Sequence, residues 1–207
     1  MQRGVSVHQL QKTKFKTVPI EGGFKKLIGE PELTGSWMIF GGSGNGKTSF
    51  SLQLAKQLAS FKKVAYDSLE EGVSLSMQKA FKRTGMESVR KKIILLDMES
   101  IDDLKVRLRK RRSPDIIFID SIQYSGLNKK AYDSLKREFR NKLFIWISHA
   151  DGKKPGGRLA NAVYYDSFVK IRVEGYKAHA ISRYADGKTE PFTIWQQGAD
   201  EYEGIIH

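Results

Sequence analysis

The chain reads as a three-layer α/β fold built on a mainly parallel sheet, with antiparallel strands at its carboxyl-terminal end. Three observations predict it. Strand-like apolar runs alternate with helix-like amphipathic stretches from residue 36 to residue 149, the order that puts helices on both faces of a parallel sheet. The runs IIFI (116–119) and LFIWI (143–147) are apolar at every position, as strands covered on both faces must be. The last strand-like stretches, SFVKIRV (167–173), KAHAISRY (177–184) and PFTIWQQ (191–197), are separated by Gly175 and by Asp186-Gly187. Such turn signals join antiparallel neighbours.

Residues 1–16 are polar and basic with weak periodicity. They read as a tail, an arm docked on a neighbouring subunit, or a nucleic-acid contact. Residues 1–23 are taken as a basic N-terminal arm and residues 24–207 as one domain. Phe24, Leu27 and Ile28 suggest a short helical turn, after which Pro31 and Gly35 punctuate the approach to SWMIF (36–40), the first core strand. A glycine-rich loop follows, and then Phe50, Leu54, Ala55 and Leu58 recur at helical spacing. KKVAYDS (62–68) is the next strand, residues 73–83 a helix ended by Gly85, and KIILLDM (92–98) a strand. Residues 102–112 form a charged helix broken by Ser113-Pro114, and DIIFIDS (115–121) a buried strand. Residues 129–141 are a basic helix, LFIWISH (143–149) another buried strand, and ADGKKPGGR (150–158) a loop.

The length of 207 residues suits one domain with a full core. Cysteine is absent, which excludes disulfides and cysteine-based zinc sites and fits a reducing compartment. No apolar run approaches the roughly 20 residues of a membrane span, and the N-terminus lacks a signal peptide's apolar core. The cytoplasm is the expected location and no membrane partner is expected. The net charge of +13 and pI near 9.8 favour polyanionic partners, nucleic acid first.

The loop GGSGNGKT (41–48) fits the phosphate-loop pattern G-x-x-x-x-G-K-[ST], between a strand and a helix as that pattern requires. Residues Gly41, Gly42, Ser43, Gly44, Asn45, Gly46, Lys47, Thr48 and Ser49 are expected to hold ATP. The glycines let backbone N–H groups curl toward the phosphates, and the helix start adds its positive end. Lys47 is placed on the β and γ phosphates and the Thr48 hydroxyl on Mg²⁺. In an open α/β sheet ligands gather at the carboxyl ends of the strands, and three further polar positions lie at such ends. Asp120 would hold Mg²⁺ opposite Thr48. Of the adjacent pair, Glu70 is the first choice as the base for an attacking water, and Glu71 could be a helix-start acid. His149 would sense the γ-phosphate, or else be a histidine bonded to backbone. Lys153, Lys154 and Arg158, in the flexible loop beyond it, would grip a phosphodiester backbone, the plain alternative being a solvated loop. Arg183 is a candidate cation reaching the phosphates of a neighbouring subunit.

Together the phosphate loop, Glu70-Glu71, the IDSIQ run (119–123) and the strand-end histidine resemble the RecA superfamily. The strongest likeness is to the ATPase core of the bacterial DNA-repair protein RadA, with DnaB-type helicases and KaiC-like ATPases further off. The order SHADGKKPGGRLANAVYYDSFVKIRVEG (148–175) resembles that family's histidine, its basic DNA-binding loop and an aspartate-containing segment leading into a strand, and SRY (182–184) resembles part of its KNRFG motif. Ile181 stands where that motif has lysine, and RadA's zinc-finger cysteines are absent. The resemblance implies a RecA-like P-loop NTPase core in a homo-oligomeric ring or filament, with ATP and Mg²⁺ at subunit interfaces and single-stranded DNA along the inner loops. Lys47 and Thr48 would bind the nucleotide and Mg²⁺, Glu70 would be the catalytic carboxylate, Asp120 the second acidic site, His149 the sensor and Arg183 the trans-acting cation. The expected activity is DNA-stimulated ATP hydrolysis in recombination, repair or replication. A ring helicase or packaging motor, and an ATP-gated annealing scaffold, are the alternatives.

Overall fold

The computed structural model describes residues 4–206. An exposed helix α1 (Val7–Lys12) opens the chain, closed at its start by a reciprocal capping box between Ser6 and Gln9. None of its residues is buried. The N-terminal arm is therefore helical over this stretch, and from Thr17 onward the chain joins the body. Thr17 pairs with Glu32, and Val18 and Ile20 enter the core beside α2 (Gly22–Ile28).

Strands and helices then alternate: β1 (Gly35–Gly41), α3 (Lys47–Ala59), β2 (Val64–Ser68), α4 (Leu75–Thr84), β3 (Ile93–Asp97), α5 (Ile101–Arg109), β4 (Ile116–Asp120), α6 (Lys129–Glu138) and β5 (Leu143–Asp151). Serine or asparagine side chains cap three of these helices, Ser74 for α4, Ser100 for α5 and Asn128 for α6, each accepting from a backbone N–H three residues on. Gly85 ends α4 in the left-handed conformation. A two-residue strand β6 (Lys154–Pro155) folds back on β5. Helix α7 (Arg158–Asp166), strands β7 (Val169–Glu174), β8 (Lys177–Ser182) and β9 (Phe192–Thr193), and helix α8 (Gln196–Ile206) complete the chain.

The sheet order is β3-β2-β4-β5-β1-β7-β8-β9, with β6 beside β5. The strands from β3 to β7 are parallel, and β8 and β9 are antiparallel. Both faces are covered, which explains the unbroken apolar runs. Trp37 and Ile39 of β1, Phe118 of β4 and Ile145 of β5 pack toward α2, α3 and α4. Met38, Phe40, Ile119 and Trp146 pack toward α5, α6 and α7. On that second face the Tyr132 hydroxyl accepts from Ser36 at 2.9 Å and donates to Asp166, which also pairs with Lys136.

Three expectations need correction. The stretch 191–197 is strand only at Phe192–Thr193, because β8 offers it just two partners and α8 begins at Gln196. The stretch 150–158 is not wholly a loop. β5 continues to Asp151 and pairs with β6, so Ala150 faces Pro155 and Asp151 faces Lys154. Residues 158–166, read only as a lead into a strand, form α7, buried through Ala160 and Val163. Among the described residues no helix is long and apolar enough to cross a membrane.

Candidate functional site

Register brings the site together. In the sheet, Gly41 at the end of β1 lies beside His149 of β5, Ile147 of β5 lies beside Asp120 at the end of β4, and Asp120 lies beside Ser68 at the end of β2. Four neighbouring carboxyl ends therefore deliver the phosphate loop, His149, Asp120 and Glu70 to one mouth, where open α/β sheets place their ligands. A cleft of about 680 Å³ occupies it, lined by Ser43, Gly44 and residues 46–49 of the loop and by Glu70, Glu71, Asp120 and His149. That size is in the range of small-ligand sites.

The loop is held close to the sheet. A Cβ on Gly41 would lie 2.1 Å from the Val173 carbonyl oxygen, so only glycine lets β1 and β7 pair there. Gly46 sits at φ +94° as the N-cap of α3 and gives no side-chain cap, which leaves the first N–H groups of the helix aimed at the cleft. The Asn45 side chain is fixed at both ends. Its Oδ1 accepts from Gly175 N at 2.8 Å and its Nδ2 donates to Ser43 O at 3.1 Å. These bonds tie the loop to the turn between β7 and β8. Lys47 Nζ donates to Gly42 O at 2.8 Å. Burial lowers the Lys47 pKa, while Asp120 and Glu70 oppose that shift.

Asp120 is the most perturbed group of the mouth. Burial pushes its pKa up to about 6, the Tyr66 hydrogen bond and Lys47 pull it down, and Glu70 adds to the rise. Tyr66 donates to Asp120 Oδ2 at 2.6 Å, leaving Oδ1 without a hydrogen bond among the described residues. The Asp120–Ser121 peptide is cis. Among the described residues no group of three or more His, Asp or Glu side chains could cage a metal by itself. A hydroxyl from Thr48 and one carboxylate from Asp120 suit Mg²⁺, which keeps its waters and completes its shell with substrate phosphates. The donor set thus fits a Mg²⁺–triphosphate.

The two glutamates divide. Glu71 accepts from the Ser76 hydroxyl at 2.6 Å and is tied to the start of α4. Glu70 Oε2 lies 3.2 Å from His149 Nε2. Behind His149 a relay of bonds runs into the hairpin. Gln123 Nε2 donates to Ser148 Oγ at 2.8 Å and to Gly156 O at 3.0 Å, and both Ser148 Oγ and Gly156 N donate to His149 O at 2.8 Å. The exposed cations Lys153, Lys154 and Arg158 stand around this base, with no acidic partner among the described residues.

Arg183 is not brought to the mouth. Because β8 runs antiparallel, Arg183 lies at the amino ends of the parallel strands, over the Phe168 ring at 4.8 Å. Sequence reading missed the wall opposite the acids. Tyr176 and Trp195 meet edge to face at 5.2 Å, and with Ile194 they line the cleft. Arg83 of α4, whose Nη2 lies 3.4 Å from Ser49 Oγ, was missed too. Gly175 beside Tyr176 was the available signal for the wall, hidden by the strand assigned to 191–197.

No family model and no curated protein match the sequence. Solved structures do. The KaiC-like protein PH0186 of the hyperthermophilic archaeon Pyrococcus horikoshii OT3 is 20% identical with a TM-score of 0.61, over 86% of this chain and 94% of that one. The flagellar accessory protein FlaH of Methanocaldococcus jannaschii is 17% identical with a TM-score of 0.61, over 86% of this chain and 92% of that one. The fold is the RecA-like one, with a largely parallel sheet.

Proposed function

We propose that this chain is a Mg²⁺-dependent ATPase that grips single-stranded DNA according to its nucleotide state, in recombination, repair or replication. The observation that carries this reading is the bonded relay from Glu70 and His149 through Ser148 and Gln123 to Gly156, which links the phosphate end of the cleft to the basic hairpin. In the reaction Glu70 takes a proton from a water as its oxygen attacks the γ-phosphorus. The bond from that phosphorus to the bridging oxygen breaks, and ADP leaves. Lys47 and the N–H groups of the loop hold the phosphate charge. Thr48 and Asp120 would hold Mg²⁺, which supplies further charge neutralisation when bound. A change at the γ-phosphate moves His149, and the relay passes that to Lys153, Lys154 and Arg158.

The sequence pattern of IDSIQ and of residues 148–175 supports the RadA branch of the superfamily. Arg183 faces away from its own cleft, which supports a homo-oligomer in which it serves a neighbour. A second reading, an ATP-driven protein with a protein partner, is supported by the likeness to FlaH, which is a flagellar accessory protein. ATP turnover with and without single-stranded DNA, with Glu70→Gln as control, separates the two. The first reading expects stimulation by DNA and a loss of at least about 100-fold in the variant, the scale of a positioned general base. Turnover indifferent to DNA favours the second.

A further inference from the structure

A group of ten exposed cations lies at the end of the sheet opposite the candidate nucleotide cleft. The first residues of four adjacent parallel strands lie in one row: Ile93 beside Val64, Val64 beside Ile116, and Ile116 beside Leu143. Backbone bonds extend the row one residue further, with Val64 N donating to Lys92 O at 2.8 Å, Asp115 N to Lys63 O at 2.9 Å and Leu143 N to Asp115 O at 3.0 Å. Basic residues crowd this row: residues 62–63 before β2, 90–92 before β3, 109–112 before β4, and Arg140 before β5, all exposed. Of these ten cations only Arg90 and Arg109 pair with a carboxylate among the described residues, Glu87 and Glu138. The other ends of the same strands carry Glu70, Glu71, Asp97 and Asp120. The far edge thus sets ten cations against Asp115, Glu87 and Glu138, whereas the cleft end mixes its carboxylates with Lys47, Arg83 and the hairpin cations.

We infer that this basic edge is a binding surface for duplex DNA, separate from the hairpin at Lys153 and Lys154. Three features select the partner. The charges stand in the folded segments that lead into four strands rather than on a free tail, and four strands span about 14 Å at ~4.8 Å spacing. Duplex DNA presents roughly one phosphate per 1.7 Å of axis, so a segment of that length offers about eight charges, comparable to the eight unpaired cations. None of the four basic segments carries an exposed aromatic side chain, which sequence-tolerant single-strand sites use to stack bases. Binding through phosphates alone is independent of base sequence.

The test is duplex binding by fluorescence anisotropy over a salt series. The variant is Lys62→Gln, Lys91→Gln, Lys110→Gln and Arg111→Gln together, four exposed side chains without a hydrogen-bond partner among the described residues. Lys153→Ala with Lys154→Ala is the comparison. The edge variant is expected to flatten the slope of log affinity against log salt by about 3 to 4, at ~0.9 for each phosphate no longer neutralised, with DNA-stimulated turnover and thermal unfolding unchanged. An unchanged slope overturns the inference and leaves the proposed function standing. Lost turnover stimulation in the hairpin variant, with an intact duplex slope, supports two separate surfaces. Loss of binding to anionic-lipid vesicles, or of self-association, at an unchanged duplex slope assigns the edge to a membrane or to a second copy and overturns the inference.

Discussion

At the residue scale the chemistry turns on Asp120. Its carboxyl is pushed up to about 6 from an ordinary 3.8, chiefly by burial. Between those values the folded chain holds a proton that the unfolded chain has released. This group's contribution to stability is therefore full below about pH 4 and falls as the pH rises through 6. Metal binding runs the other way, because Mg²⁺ needs the carboxylate. We expect Mg²⁺ affinity in the presence of nucleotide to climb with pH up to about 6 and then level off. Asp120→Asn should remove both dependences. Calorimetric titration of Mg²⁺ at several pH values, beside unfolding midpoints of the metal-free chain, checks the two signs together. A Mg²⁺ affinity independent of pH would place the metal on other ligands. Tyr66 tunes the midpoint, because its hydroxyl stabilises the charged form.

At the element scale the decisive unit is β5, the strand that begins in the core and ends in the hairpin. Gln123 clasps it from outside through its bonds to Ser148 and Gly156. Gln123→Ala is expected to keep basal ATP turnover and to lower stimulation by single-stranded DNA roughly tenfold, within the usual range of coupling energies. Intact stimulation would remove the relay from the mechanism. Strands β4 and β5 were legible in the sequence because burial on both faces leaves them no polar residue until they reach the cleft. IIFID shows this, with four buried positions and then the acid. The phosphate loop was legible because few residue types suit its backbone. The short elements were not. Helix α7 follows Gly157, which gives it no side-chain cap, and only Ala160 and Val163 are buried, so neither its start nor its periodicity stands out. Helix α8 follows Trp195 directly, and its first residues resemble the strand before them. The capping box of α1 was readable as S-x-x-Q, but no apolar run follows it to mark a helix. The relay itself joins residues 123, 148 and 156, a closeness that only the fold supplies.

At the scale of the whole molecule, Arg183 and the cleft lie at opposite ends of the strands, so the proposed cation must act between copies. Arg183→Ala alone should lower turnover on the order of 10³-fold, as loss of an arginine finger does. Mixing that variant with Glu70→Gln at fixed total concentration should restore part of the activity, since some interfaces then join an intact Arg183 to an intact Glu70. Turnover that never exceeds the sum of the separate variants would exclude action in trans. Duplex held along the amino ends of β3, β2, β4 and β5 would occupy a different part of that end from Arg183, which lies beyond β7 and β8. A neighbouring copy could therefore turn its cleft toward Arg183 while the duplex stays in place. Spent ADP would then exchange for fresh ATP as that contact loosens, without the chain leaving its track.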